Sequence, residues 1–423
     1  MKRHWLFVSM VALAGAASAA DQAARYSVTD LGIVGPAQTT ASVQTYWVAN
    51  RGIAAGGAIV AEGNEHAMLW FQGLRMDLGT LGLRGSNSLA FSVNDNGQVV
   101  GQAETWTSYP YHEDLCGFAA AGLLSYGRAC VPFVWQSGAM RPLATLGGFN
   151  GVAISVNAGG DVAGWAENGV VDSGCPAQQK LQFKPVVWQK GGVQELATAA
   201  GDRFGITNFI TDNGTVVGAS GECAPYSPIV LAPFQALHAL MWQGGKVTDL
   251  GTLGGSGHGF GIVANGGNNQ GQVVGASDLE GDQVSHAFLW TKEKGMTDLG
   301  TLPGDAISAG VSINDAGQIV GVSLDANFDL RAAMWKDGVA SDLNDLIPAD
   351  SPLYLLLACS VNAQGQFVGL AADAAGNLHG YLATPAGAVG ELRGGHERWS
   401  LSAEGRNVLS RLPYGRFVPR RRE

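Results

Sequence analysis

The sequence predicts an all-β chain folded as a seven-bladed β-propeller of four-stranded blades, and three observations carry that prediction. A set of short phrases recurs seven times in fixed order along the 423 residues. Successive copies lie 45 to 65 residues apart, the period of propeller blades rather than of helical repeats. Each copy divides into four short apolar stretches separated by turn signals, which is the content of one blade. Composition agrees. Glycine is 62 of 423 residues, about twice the ~7% of ordinary soluble chains, and charged residues are 14% against ~25%. With 46% apolar residues the chain has ample material for a core, which excludes an intrinsically disordered protein.

At the start, "MKRHWLFVSMVALAGAASAA" sets Lys2 and Arg3 before an apolar run from Trp5 to about Ala17, and the small residues Ala17, Ala19 and Ala20 suit a cleavage site. That order predicts an export signal over residues 1–20, and with it a secreted or periplasmic protein. The run is too short for a membrane span, and no later stretch approaches ~18 uncharged apolar residues. Residues 21–385 then form the propeller, and residues 386–423 a basic C-terminal tail expected to be disordered. "YSVTDLG" at Tyr26 reads as a fourth blade strand with no first three before it. It is expected to pair with the third strand of the last copy, which closes the ring and removes an open sheet edge. A rival segment, "AVGELRGG" at Ala388, lacks the "GTL" continuation.

Three phrases supply the strands, lettered a to d within each copy. The first is "WVANRGIAAG" at Trp47, then "SVNDNGQVVG" at Ser92, "SVNAGGDVAG" at Ser155, "FITDNGTVVG" at Phe209, "GNNQGQVVG" at Gly267, "SINDAGQIVG" at Ser312 and "SVNAQGQFVG" at Ser360. It spans strands a and b, and pairs such as Asn-Gly or Ala-Gly provide the positive-φ positions of a tight hairpin. The glycine inside strand b (Gly101, Gly164, Gly218, Gly275, Gly321 and Gly369) predicts a close approach or bulge where a side chain would not fit. The second phrase, "HAFLW" at His286, is strand c. Its copies end at Trp70, Trp135, Trp188, Trp242, Trp290, Trp335 and Ala383, so six of the eleven tryptophans share one position. The third phrase, "DLGTL", is read as strand d.

The ordered combination "DLGTLGG", "VNDNGQVVG" and "HAFLW" resembles the bacterial HAF-repeat family, named for the triplet found here at His286, Ala287 and Phe288. The resemblance covers roughly residues 26–385 and implies an extracellular or envelope location with an otherwise undefined role. Copies 2, 3 and 6 carry Val131, Lys184 and Arg331 in place of the histidine, which argues against the histidine as a required chemical group.

A residue repeated in every blade more often holds the fold than serves a site. The aspartate of "DLG" (Asp30, Asp77, Asp249, Asp298 and Asp342, with Glu195 standing in once and Pro142 breaking the series) is read as a turn-capping group paired with the cationic residue of strand c. Asn94, Asn157, Asn314 and Asn362 are expected to bond the backbone of their own turns.

Asymmetry between copies points to function. From the glycine of strand b to the end of strand c, copies 1, 5, 6 and 7 use 14 or 15 residues, copy 2 uses 34, and copies 3 and 4 use 24 each. The b–c and d–a loops emerge at one end of a propeller, so these insertions gather over one sector of one end, where loops build binding sites on a rigid scaffold. They hold Trp106, Tyr109, Tyr111, His112, Glu113 and Asp114 in copy 2 and Tyr226 in copy 4. Aromatics beside carboxylates suit a glycan or protein surface, and the competing reading is a satellite core that holds the loops down.

Four of five cysteines, Cys116, Cys130, Cys175 and Cys223, also lie in the insertions and suggest two disulfides with three connectivities. Cys116–Cys130 closes one insertion on itself, and Cys175–Cys223 then ties neighbouring blades. Cys359, in "LLLACSVN", reads as a buried free thiol. No cofactor is expected. Asp325, Asn327 and Asp329 alternate as Ca2+ ligands would, as do Asp278, Glu280 and Asp282, but neither run continues as a calcium loop and ordinary solvated turns are favoured. The propeller body carries 15 basic against 31 acidic residues and the tail eight Arg against four Glu, a balance that does not suit nucleic acid. No serine-hydrolase, metalloprotease or phosphate-loop motif is present. The expectation is a monomeric, non-catalytic binding or scaffold module for an extracellular protein or glycan. The alternative is a propeller hydrolase or lyase acting on extracellular polymer, with Glu113 or Asp114 as acid or base.

Overall fold

A computed structural model describes residues 25–32, 44–60, 63–82, 86–111, 118, 127–175, 180–223 and 234–386. The chain opens with β1 (Tyr26–Gly32). Blade 1 follows as β2 (Gln44–Val48), β3 (Ala54–Ile59), β4 (Glu65–Phe71) and β5 (Leu74–Asp77). Blade 2 is β6 (Ser88–Val93), β7 (Val99–Ser108), β8 (Arg128–Gln136) and β9 (Ala139–Pro142), and blade 3 is β10 (Gly151–Val156), β11 (Val162–Val171), β12 (Leu181–Gln189) and β13 (Gly192–Glu195). Blade 4 is β14 (Phe204–Ile210), β15 (Val216–Cys223), β16 (Phe234–Gln243) and β17 (Lys246–Asp249), and blade 5 is β18 (Ile262–Gly267), β19 (Val273–Asp278), β20 (Ser285–Thr291) and β21 (Gly295–Gly300). Blade 6 is β22 (Ile307–Ile313), β23 (Ile319–Leu324), β24 (Leu330–Lys336) and β25 (Val339–Asp342), followed by a 3-10 turn at Leu343–Leu346. Blade 7 has β26 (Tyr354–Val361), β27 (Phe367–Ala372) and β28 (Leu378–Pro385).

These strands make seven four-stranded antiparallel sheets, the seven-bladed propeller expected from the repeat. Closure follows the expected route. β1 takes the outer position of blade 7 and pairs antiparallel with β28, from Tyr26 opposite Pro385 to Gly32 opposite Gly380. The rival segment at Ala388, the export signal and the tail beyond Ala386 lie outside the described residues.

Every strand a carries a bulge at one equivalent position, leaving Tyr46, Phe91, Ile154, Asn208, Asn265, Val311 and Cys359 unpaired in register. Five of the seven, Tyr46, Phe91, Ile154, Val311 and Cys359, join one hydrophobic cluster that takes residues from all seven blades. The bulge explains the invariant glycine of strand b, which sits opposite the residue before it. A Cβ on Gly275 would lie 1.9 Å from the Val263 carbonyl oxygen, and one on Gly164 would lie 1.9 Å from that of Val152. A residue larger than glycine would push backbone against backbone. Cys359 is a buried free thiol, as expected, and burial raises its pKa far above the ordinary range.

The "DLG" aspartate does two jobs. Its Oδ1 accepts from the backbone N–H two residues on, at Gly32, Gly79, Gly251, Gly300 and Asn344. That cap turns the chain, so strand d ends at the aspartate or within two residues of it, and "GTL" is linker rather than strand. The same carboxylate pairs with strand c in four blades, as His66–Asp77 (2.9 Å), His286–Asp298 (2.9 Å), Arg331–Asp342 (3.2 Å) and His379–Asp30 (3.0 Å). The expected pairing fails in two copies. His238 turns to Asp202 at 2.8 Å rather than to Asp249, and Lys184 donates to the Arg203 carbonyl oxygen at 2.7 Å.

Candidate functional site

The two ends of the propeller are built from different chemistry. At the end bearing the b–c and d–a loops, buried carboxylates organise the loops. Glu104 accepts from the N–H and side-chain amide of Asn87, and Glu167 from the N–H groups of Phe149 and Asn150. Asp278 accepts from three successive N–H groups, Gly259, Phe260 and Gly261, at 2.9–3.0 Å. This is the role of the glycine-rich phrase after "DLGTL". A Cβ on Gly148 would meet Glu167 Cβ at 2.3 Å, and one on Gly255 would meet Asp278 Cβ at 2.5 Å, so only glycine lets the linker approach the carboxylate this closely. Burial raises the Glu167 and Asp278 carboxyls, against the opposing pull of those hydrogen bonds. Glu65, at the start of strand c in blade 1, has an oxygen with no hydrogen-bond partner, and burial pushes its pKa up to about 8.

The insertions stand on this base. Strands b of blades 2 and 3 run to ten residues, and their ends project beyond strand a, paired only with strand c at Ser108–Arg128 and Val171–Leu181. Trp106 is 64% exposed, Tyr111 39%, Val170 50% and Val171 57%. Tyr109 is the exception to the expected aromatic surface. It is fully buried, stacks edge-on to Tyr111 and Phe149, and donates its hydroxyl to Glu167 at 3.1 Å, so it fastens the blade 2 insertion to blade 3. The burial pattern of a strand cannot reveal this from sequence, because the partner ring and carboxylate belong to the next blade. His112, Glu113, Asp114 and Tyr226 lie outside the described residues.

Cys175–Cys223 is bonded with Cα atoms 5.5 Å apart and ties blade 3 to blade 4 as expected. Cys130 is disulfide-bonded, and Cys116 lies outside the described residues. Beside the bridge, Arg203 donates to Asp172 at 2.6 Å. Burial opposes ionisation of Asp172, but hydrogen bonds from Gln182 and Gly174 together with the Arg203 charge hold its carboxyl below the usual range.

One constellation was not singled out from the sequence. Ser256 Oγ lies 3.0 Å from His258 Nδ1 and also donates to Asp282 Oδ2. In a catalytic relay the imidazole stands between hydroxyl and carboxylate. Here the carboxylate holds the hydroxyl directly and also accepts the Ser256 N–H, so the group closes a surface loop. Asp325 likewise spends one oxygen on the N–H groups of Asn327 and Asp329. Among the described residues no group of three or more His, Cys, Asp or Glu side chains gathers as a metal site would require.

At the opposite end, the a–b turns surround a funnel on the propeller axis with a volume of about 170 Å³. Each blade contributes three or four consecutive residues from the end of strand a, such as Val93, Asn94 and Asp95 in blade 2 and Phe209, Ile210, Thr211 and Asp212 in blade 4. The asparagines hold their own turns through Oδ1, as expected, for example from Asn314 to the N–H groups of Ala316 and Gln318. Their Nδ2 groups do something the sequence does not show, and cross to the next blade. Asn94 donates to the Asn157 carbonyl, Asn157 to that of Thr211, Asn213 to that of Asn269, and Asn268 to that of Asn314. Asn314 donates to the Asn362 carbonyl, Asn362 to that of Ala49, and Asn50 to the Asp95 carboxylate. The result is a closed ring of amide bonds through all seven blades. Two blades lack the repeated asparagine, and each keeps the ring by a displaced one, Asn50 in blade 1 and Asn213 in blade 4.

Comparison with known proteins gives distant likenesses only. No family model matches the sequence, and no curated protein matches it. Among solved structures, an acylaminoacyl peptidase from Pyrococcus horikoshii is 10% identical over 82% of this chain and 52% of its own, with a TM-score of 0.49. A puromycin hydrolase is 11% identical over 85% of this chain and 55% of its own, with a TM-score of 0.44. The Aleuria aurantia lectin, as a mutant in complex with a fucosylated sugar, is 8% identical over 71% of this chain and 94% of its own, with a TM-score of 0.34. The chain thus spans about half the length of the two hydrolases. Among the described residues no helix is long and apolar enough to cross a membrane.

Proposed function

We propose that this chain is an exported, non-catalytic binding module of the HAF-repeat kind, whose working surface is the b–c end of blades 2 and 3 and whose partner is an extracellular glycan or protein. One observation carries the reading. Among the described residues, four of the nine exposed large apolar side chains, Trp106, Tyr111, Val170 and Val171, stand on the extended b–c arms of two adjacent blades. The others lie on outer strands d or, for Phe71, at the end of strand c of blade 1. An aromatic and aliphatic surface on arms held from beneath by Tyr109, Glu167 and the Cys175–Cys223 bridge is preorganised, which lowers the ordering cost of binding.

The test is a glycan array and an extracellular-protein screen run on the purified chain beside Trp106→Ala and Val171→Ser, with a hydrolase panel on the same sample. The expected result is a ligand whose affinity falls by about tenfold or more in Trp106→Ala while the melting temperature stays put, since Trp is a frequent binding hot spot. Turnover of a panel substrate, or ligand binding indifferent to both substitutions, overturns the reading.

A further inference from the structure

The axial funnel lies at the other end of the molecule and plays no part in the reading above. Three features of it point the same way. Its floor is aromatic. Trp47 of blade 1 and Phe209 of blade 4 meet across the axis with ring centroids 5.3 Å apart, and both stay partly exposed while the adjoining Val48 and Ile210 are buried. Its rim is acidic. Asp95, Asp212 and Asp315 come from blades 2, 4 and 6, and the lining contains no Lys, Arg or His. Beside the lining stands Arg51, whose guanidinium reaches the Asp95 carbonyl oxygen at 3.5 Å. Asp212 and Asp315 have no ion pair among the described residues.

The third feature is independent of charge. The ring consumes its donors, because the side-chain amides of Asn50, Asn94, Asn157, Asn268, Asn314 and Asn362 are all given to the neighbouring blade. The Asn269 amide is likewise given to the second oxygen of Asp315 at 3.0 Å, so the funnel's side chains are left to offer acceptors and ring faces. The carboxylates are also fixed in place, since one oxygen of each accepts an N–H from the preceding blade, of Arg51 (3.0 Å), Ala158 (2.8 Å) and Asn269 (2.9 Å). The second oxygen of Asp212 has no hydrogen bond among the described residues.

We infer that the funnel binds an organic cation, an ammonium or guanidinium group seated over Trp47 and Phe209 and met by Asp212 and Asp315. A cation over an aromatic face gains from the ring quadrupole, and carboxylates preset at the mouth add charge-assisted hydrogen bonds. A volume of about 170 Å³ suits a group of side-chain size rather than a larger ligand, for which pockets of ~300 Å³ and upward are usual. The group has two sources, a small free amine or guanidine and an arginine of a polypeptide. The described chain itself leaves the fold at this end, because strand c of blade 7 finishes at the c–d side beside the start of β1, and residues 387–423 hold eight arginines.

Isothermal titration of the full chain with L-arginine amide, against the neutral isostere citrulline amide, both acetylated on the α-nitrogen so that only the guanidinium differs in charge, tests the inference. Arginine amide is expected to bind one to one and to weaken as salt rises. Asp212→Asn with Asp315→Asn, which keeps the N–H acceptors, should weaken it about tenfold or more, and Phe209→Leu severalfold. Unchanged melting temperatures show that the variants are folded. Two further arms assign the source. A peptide of residues 411–423 that binds about tenfold more tightly than arginine amide assigns a polypeptide arginine, and equal affinity assigns a small free cation. If the native chain is silent but binds once Arg420, Arg421 and Arg422 are replaced by alanine, the chain's own arginines occupy the funnel. Equal binding of citrulline amide, indifference to the paired Asp→Asn change, or silence in both the native and the arginine-replaced chain overturns the inference.

Discussion

The two ends of this propeller solve one problem with different functional groups. At the a–b end the blades are stitched chiefly by amides, in a ring that repeats with the sequence, and solvent-accessible carboxylates join in only at Asp95, Asp212 and Asp315. At the b–c end the linkers are held by buried carboxylates, Glu104, Glu167 and Asp278, each with its own set of donors. Amides neither titrate nor demand a counter-charge, so one motif can be copied around a circle. A buried carboxyl has to be solvated anew by each local arrangement. The lesson is that the regular end is the structural one, and that individuality and sensitivity to solution conditions collect at the end with the insertions.

The largest expected effect that sharpens this contrast is pH dependence at Glu65. Its folded pKa of about 8 lies above the ordinary carboxyl value of 4.5, so the folded state favours the protonated acid. The stabilisation is complete below about pH 4.5 and is lost as pH rises through about 8, with a total on the order of 5 kcal/mol. Urea unfolding from pH 5 to pH 9 should therefore show falling stability, and Glu65→Gln should flatten that slope. A slope unchanged in Glu65→Gln would remove Glu65 as its source. Next comes the covalent tie of the b–c end. Replacing Cys175 and Cys223 together by alanine releases a bridge spanning 48 residues and should cost about 2–4 kcal/mol. Calorimetry of that variant, with and without reductant, checks the value, and reductant should have less effect on the variant than on the native chain. The smallest expected effect is a single break in the amide ring. Asn314→Asp keeps the acceptor for its own turn but loses the donor to the Asn362 carbonyl. That should cost about 1–3 kcal/mol by leaving a buried carbonyl short of its partner. If Asn314→Asp unfolds at the native midpoint near neutral pH, the ring is not what joins the blades.

Most of the fold was legible in the sequence because period and turn chemistry are local. The seven phrases, the glycine of strand b and the orphan "YSVTDLG" each name their structural role through neighbours a few residues away. What failed to show were bonds between copies. Asn94 reads as a turn residue, and it is one, but the donor half of its amide points to a blade 63 residues on. His238 lies at the expected pairing position and still turns to Asp202, because an aspartate in the preceding linker offers a nearer partner than Asp249. Tyr109 reads as a surface ring until Phe149 and Glu167 are seen to enclose it. The funnel is the extreme case. No stretch of sequence contains it, since seven short segments from seven blades meet only when the circle closes.

That circle has a consequence for the order of events in time. β1 holds the earliest described residues of the chain and can reach its place only against β28, among the last, so Asp30 waits for a histidine 349 positions downstream. Blades 1 to 6 can each assemble from contiguous residues as they emerge, but the seventh cannot. Closing so long a loop adds little to the thermodynamic cost, which grows only with the logarithm of length, yet it makes the final contact the most non-local in the molecule. An incomplete chain is therefore an open arc with a bare sheet edge at each end, and the latch that turns the arc into a wheel is fitted last.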